Sequence, residues 1–160
     1  RRNSPGLNAQ RLNGTKLQNE IMKTIRQTVN FKASPHEVYE ALMNSKKHAE
    51  FTESPAGINN KAGGKFTAYD GYIEGTNLEL TPDKKIVQKW RGSDWSEGHY
   101  STATFLLQKT KSGTKLKFVQ TNVPDEQYEP ISHGWHEHYW NKMKRMFENY
   151  GRKNSNEKSR

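Results

Sequence analysis

Three histidines grouped near the end of the chain, His133, His136 and His138, have the most obvious capacity for chemistry. Imidazole side chains ligate metals and move protons near neutral pH. On a helix His133 and His136, three apart, share a face, while His138 points elsewhere. A zinc protease needs two histidines four apart with a glutamate between them, and His136-Glu137-His138 does not match. The chain has no cysteine, which excludes disulfides, thiol catalysis and thiolate metal sites. Solvated helix histidines are therefore expected, with no metal and no cofactor. Gly63-Gly64-Lys65-Phe66 has a faint likeness to a phosphate-binding loop. Asn59 stands where that loop begins with glycine, and Phe66 stands where Ser or Thr would hold magnesium. A tight turn opening a strand is the expected reading. Glu97 and His99 flank Gly98, and on an extended chain they would face the same way as an acid/base pair. No nucleophile motif, oxyanion loop or metal partner accompanies them. An enzyme built on this chain would have to use Glu97, His99 or Asp70. The sequence predicts a binding or regulatory domain with no catalytic residues.

The elements that must position these groups are legible from punctuation and period. Between Gly63 and Tyr100 turn residues recur every few positions and β-formers fill the gaps, the rhythm of consecutive antiparallel strands. Strands are predicted over Ile21–Phe31, Lys65–Asp70, Tyr72–Leu80, Ile86–Trp90, Tyr100–Lys109 and Thr114–Thr121. Ile58-Asn59 is a candidate for one more. In the last of these Leu116, Phe118 and Gln120 face one way and Lys115 and Lys117 the other, so one sheet face is covered and one is wet. Ser34-Pro35-His36-Glu37 combines a capping serine, proline at the first helical position and a glutamate three residues after the cap. It starts a short helix ending near Asn44. Ser45–Phe51 makes a second, stopped by Pro55 and Gly57. Asp125–Tyr150 reads as a long helix. Its apolar stripe runs through Ile131, Trp135, Tyr139, Met143, Met146 and Tyr150, widened by Trp140 and Phe147, with Gly151 as its stop. The fold class that follows is α+β. A curved antiparallel sheet of about six strands grips the long C-terminal helix, with two short helices after the first strand and a cavity between helix and sheet.

A chain of 160 residues makes one domain. Residues 20–150 are assigned to it, with a disordered or expression-derived tail over 1–19 and a basic disordered tail over 151–160. The net charge is +9, but Arg1, Arg2, Arg11 and Lys16 against Glu20 give +3 in the first twenty residues. Arg152, Lys153, Lys158 and Arg160 against Glu157 give another +3 at the end, leaving +3 for the middle. Groove binding of nucleic acid needs charge gathered on a folded face, so no specific nucleic-acid partner is expected. The Asn13-Gly14-Thr15 sequon sits in the predicted tail and is expected to be chance. No apolar run approaches the roughly 18 residues of a membrane span. No secretory signal is present either, so the expectation is a soluble, cytoplasmic protein without a membrane partner.

The combination Gly63-Gly64-Lys65-Phe66, Asp70-Gly71, Gly75, Leu80, Pro82, Lys85-Ile86-Val87, Trp90-Arg91, Trp95 and Glu97-Gly98-His99-Tyr100 resembles the homologue family of the activator of the heat-shock protein 90 ATPase. Gly134-Trp135 and Tyr139-Trp140 are similar to that family's terminal helix. The resemblance covers about Thr24 to Tyr150. It implies a START-like (birch-pollen-allergen-like) helix-grip fold and a protein similar to the C-terminal half of a two-domain co-chaperone, or to a stand-alone relative. It also implies a non-enzymatic domain that binds a heat-shock protein 90 homologue and modulates its ATPase. Ser96 departs from the family pattern, where proline is common between the Trp and the Glu.

Two sets of site residues follow. The Arg91–His99 loop is the expected partner surface, with Trp95 as anchor and Arg91, Asp94, Glu97 and His99 around it. A Trp95 folded back on the core is the competing reading. Phe66, Tyr72, Trp90, Phe105, Phe118, Trp135 and Tyr139 either pack as ordinary core or line a cavity for a small apolar ligand. The cavity is the basis of the alternative function, hydrophobic-ligand binding or sensing.

Overall fold

The computed structural model describes residues 21–158, with side chains to Lys153; the predicted tail over 1–19 and its sequon lie outside the described residues. Strand β1 (Met22–Phe31) leads into helices α1 (Pro35–Met43) and α2 (Ser45–Thr52). Strands β2 (Gly57–Ile58), β3 (Lys65–Ala68), β4 (Ile73–Thr81), β5 (Lys85–Gly92), β6 (Ser101–Thr110) and β7 (Gly113–Pro124) follow. A 3₁₀ turn (Asp125–Gln127), helix α3 (Tyr128–Trp135), a π turn (His136–Trp140) and helix α4 (Asn141–Lys158) complete the chain. The sheet has seven strands in the order β1-β7-β6-β5-β4-β3-β2. Six of them answer the expectation, and Gly57–Ile58, pairing with Thr67 and Phe66, supplies the seventh at the edge.

Local chemistry sets the boundaries. Ser34 Oγ accepts from the Glu37 amide at 3.1 Å, and the Glu37 carboxylate accepts from the Ser34 amide at 2.9 Å, closing a reciprocal cap. Asn44 ends α1 and starts α2, accepting from the Lys47 amide at 3.0 Å. The β3–β4 turn holds Tyr69, Asp70 and Gly71 at φ of 50°, 56° and 91°, left-handed throughout, as a tight twisted hairpin requires.

The C-terminal helix lies across the apolar side of the sheet. Trp135 packs on Phe118 with ring centroids 4.4 Å apart, and Phe147 meets Phe31 at 5.6 Å. Buried hydrogen bonds fix its register. Trp135 Nε1 donates to Gln120 Oε1 at 2.8 Å, and Trp140 Nε1 donates to Gln27 Oε1 at 2.7 Å. Gln120 Nε2 in turn donates to Ser101 Oγ at 2.9 Å, and Gln27 Nε2 to the Ser132 carbonyl at 3.0 Å. Each indole N–H thus meets a strand glutamine instead of being stranded in an apolar layer.

Two expectations about this helix need correction. It is not uniform, because the backbone widens to π geometry over His136–Trp140. The extra residue in that turn lets Tyr139 and Trp140 both bury toward the sheet. Nor does it stop at Gly151. The helix continues to Lys158 through most of the predicted basic tail. Gly151 does not adopt a left-handed φ, so it forms no C-terminal cap, and a glycine inside a helix is a tolerable cost of about 1 kcal/mol.

Candidate functional site

The helix and sheet do not close completely. Five of the predicted cavity residues, Phe66, Trp90, Phe105, Trp135 and Tyr139, surround an enclosed void of about 20 Å³. That is room for about one water molecule. A larger cleft of about 420 Å³ opens beside it. Trp90, Trp135 and Tyr139 form its floor, the β3–β4 hairpin contributes Tyr69, Tyr72 and Ile73, and Pro130, Ile131, Gly134 and His138 form the opposite wall. Tyr72 is therefore at the cleft's outer wall and not in the interior. Phe118 lines neither space, because Trp135 lies directly over it. The Tyr69 hydroxyl donates to the His138 carbonyl at 2.5 Å, tying the hairpin to the π turn across the cleft.

His48, on α2, is the site residue that sequence reasoning missed. It is buried at the void, with Nδ1 3.2 Å from the Leu42 carbonyl and Nε2 2.9 Å from the Tyr139 hydroxyl. A carbonyl only accepts, so Nδ1 carries the proton and Nε2 accepts from Tyr139. Burial pushes the imidazole down to about 4, against the opposing hydrogen bonds from the Leu42 and Ala41 backbone. Burial likewise pushes the Tyr139 hydroxyl well up, so the pair is neutral. The available signal was the spacing of His48, Phe51 and Thr52, which together form the buried face of α2.

The Arg91–His99 loop differs from expectation in two respects. Trp95 is 5% exposed, folded onto Trp90 at 5.6 Å and against His99 at 5.8 Å. It is a core residue and not an exposed anchor, because its ring covers the end of the aromatic layer. Its Nε1 is buried and meets no hydrogen-bond partner among the described residues. Arg91 is no polar rim either. Its guanidinium donates to the carbonyls of Trp95 (2.6 Å), Ser96 (3.3 Å) and His99 (3.3 Å) and pairs with Glu74 at 3.3 Å. It holds the loop from inside. His99 Nε2 donates to the Asn122 carbonyl at 2.9 Å, pinning the far end. Asp94 and Glu97 are exposed, along with Ser93 and Ser96. Asp94 accepts from the Tyr72 hydroxyl at 2.9 Å, and burial followed by that bond pushes Tyr72 up to about 12.

The remaining candidate groups do not converge. Gly98 turns left-handed at φ 78°, so Glu97 and His99 are not presented together on an extended strand. His133 pairs with Glu129 at 3.7 Å and His138 with Glu137 at 3.9 Å, all exposed. Among the described residues no three His, Asp or Glu side chains are placed to share a metal ion. Gly63-Gly64 forms a turn, with Gly63 N–H donating to the Asn77 carbonyl at 2.7 Å and Gly64 N–H to the Lys61 carbonyl at 2.9 Å. A side chain on Gly64 would lie 2.6 Å from the Asn59 amide group.

The Trp95 loop, the Gly63–Gly64 turn and most of the gripped helix fall inside the span matched by a family profile. The profile described as "Activator of Hsp90 ATPase homolog 1-like protein" matches residues 32–148. The chain belongs to that family. It is 35% identical over 136 residues to the "Activator of 90 kDa heat shock protein ATPase homolog" of Dictyostelium discoideum, covering 84% of this chain and 36% of that protein. It is 33% identical over 124 residues to homolog 1 of Homo sapiens, covering 78% of this chain and 36% of that protein. This member of the family therefore spans little more than a third of the length of those relatives. Among solved structures, an HSP90 activator from Plasmodium falciparum superposes with a TM-score of 0.67 at 29% identity, covering 74% of this chain and 89% of that one. No helix among the described residues is long and apolar enough to cross a membrane.

Proposed function

We propose that this domain is a non-enzymatic co-chaperone module that docks on an Hsp90-type chaperone in the cytoplasm and modulates its ATPase. The observation that carries the reading is the internal stapling of the Arg91–His99 loop. Arg91 ties down three carbonyls and Trp95 is inserted into the core, so Ser93, Asp94, Ser96 and Glu97 stand in a fixed arrangement. A surface held this way loses little entropy on binding. Trp95 acts by shaping the loop, and the contacts themselves are polar. Such a module changes ATP turnover only as far as it binds one chaperone conformation better than another. The test is calorimetric titration of the domain into the Hsp90 homologue of its own organism, with ATP turnover measured in parallel. Binding that weakens in an Asp94→Ala/Glu97→Ala double variant is expected. No heat of binding at high micromolar concentration rejects the reading.

A second reading has its own observation, the cleft of about 420 Å³ floored by Trp90, Trp135 and Tyr139. Its size and aromatic floor suit a small apolar ligand. The enclosed void beside it is too small to contribute. Quenching of tryptophan fluorescence by an apolar probe, lost when Gly134→Leu narrows the wall, supports it. A probe that binds the variant equally well overturns it.

A further inference from the structure

We infer that the outer face of the sheet is a docking surface for an acidic polypeptide segment. The strands carry their charge with an unusual sign bias. Glu74 and Glu79, both on β4, are the sheet's carboxylates, whereas β1, β5, β6 and β7 contain only basic charged residues. Those two carboxylates pair with Arg91 at 3.3 Å and Lys85 at 3.1 Å. Arg26, Lys65, Lys89, Lys115 and Lys117 make no ion pair among the described residues. The four lysines alternate with buried neighbours, and Arg26 lies between buried Ile25 and the helix-bonded Gln27, so all five point away from the helix.

The strand register arranges them. Lys65, Thr76, Lys89, Thr102 and Thr121 stand opposite one another in a single row across β3 to β7. Lys85, Leu106, Lys117 and Thr28 form a second row, and Val87, Thr104, Val119 and Arg26 a third. At about 4.8 Å per strand, lysines two strands apart are separated by about 10 Å, with a threonine hydroxyl between Lys65 and Lys89. Ammonium and hydroxyl donors side by side suit carboxylates. The sheet register fixes where each lysine stem leaves the backbone, so the partner has only the side chains to order.

Two other anionic classes fit less well. Proteins that read single-stranded nucleic acid on a sheet stack bases on exposed aromatic rings. Here the partly buried Tyr100 ring lies under Lys89 Nζ at 4.4 Å and Arg91 at 5.7 Å. A membrane surface would need a protruding apolar cluster to insert, whereas the exposed Leu106 stands between Lys85 and Lys117 with only the half-buried Val87 and Val119 diagonal to it.

The test uses the full chain and a fluorescein-labelled polyglutamate peptide, followed by anisotropy at low and physiological salt. Lys65→Glu/Lys89→Glu/Lys117→Glu should weaken binding roughly tenfold or more, and the corresponding Lys→Gln triple variant by less. A control pair on the helix, Lys144→Glu/Arg152→Glu, should change it less than about twofold. These side chains are exposed, and circular dichroism is the check that each variant folds. The inference is overturned if the peptide does not bind, if the helix pair matters as much as the sheet triple, or if the sheet triple weakens oligouridylate or phosphatidylserine vesicles more than polyglutamate. Because the chaperone reading rests on the Asp94 and Glu97 loop, the two can fail separately.

Discussion

Replacing His48 with glutamine should remove a specific part of this domain's sensitivity to acid. The imidazole is buried against Tyr139 and held near a pKa of about 4, against 6.5 in the unfolded chain. Between those values the unfolded chain binds a proton that the folded protein does not. Stability therefore falls as pH drops below about 6.5, and the contribution is intact above it. One pKa unit corresponds to about 1.4 kcal/mol, so the loss attributable to His48 reaches about 2 kcal/mol at pH 5 and about 3 kcal/mol at pH 4. That is a large share of the roughly 5–15 kcal/mol that holds a domain folded. The assay is urea denaturation from pH 7.5 to 4 on the parent and His48→Gln proteins. Glutamine can satisfy both neighbours with its amide but does not titrate in this range. Exposed groups, among them His36 beside Asp83, titrate in both proteins and cancel in the difference. The parent should lose about 2 kcal/mol more than the variant by pH 5. Parallel stability curves would refute the assignment of a buried neutral imidazole.

Three further outcomes follow from the packing. Gly75→Ala would place a Cβ 1.8 Å from the Lys89 carbonyl oxygen and 2.6 Å from the Phe66 ring, inside the sheet. The strands must separate, so a loss of at least about 3 kcal/mol, or failure to fold, is expected in thermal melts. Gln120→Leu strips the acceptor from the Trp135 indole and the donor from Ser101, both buried. About 2–4 kcal/mol should be lost in urea denaturation, and the Trp135 indole proton should shift in NMR spectra. Arg91→Met keeps the apolar stem but removes every hydrogen bond to the Trp95, Ser96 and His99 carbonyls. Amide exchange over Ser96–His99 should accelerate, with a global cost of about 1–3 kcal/mol, and unchanged exchange would show that Trp95 and the His99–Asn122 bond hold the loop without Arg91.

The division between what was readable in one dimension and what was not is sharpest along β7 and the last helix. Alternation in Lys115 to Gln120 announced which side of the strand is dry, because strand geometry sends neighbouring side chains to opposite faces. The spacing of Ile131, Trp135, Tyr139 and Met143 announced the helix. It did not announce the π turn, which exists because two adjacent aromatics are both drawn toward the sheet. The Ser34 cap was legible because every atom of it lies within four residues.

Local patterns by themselves determined the helix-grip order of elements and the dry sheet face. These depend on backbone periodicity and short-range hydrogen bonds. Which way Trp95 and Arg91 turn, and that His48 ends against a tyrosine ninety-one residues away, only the tertiary structure decided. A loop tryptophan flanked by Ser93, Asp94 and Ser96 has the local composition of an exposed ring. Its burial follows from Trp90, at the end of the strand that leads into the loop, joining Trp135 of the distant helix in one apolar surface, and nothing within the loop's own residues encodes that surface.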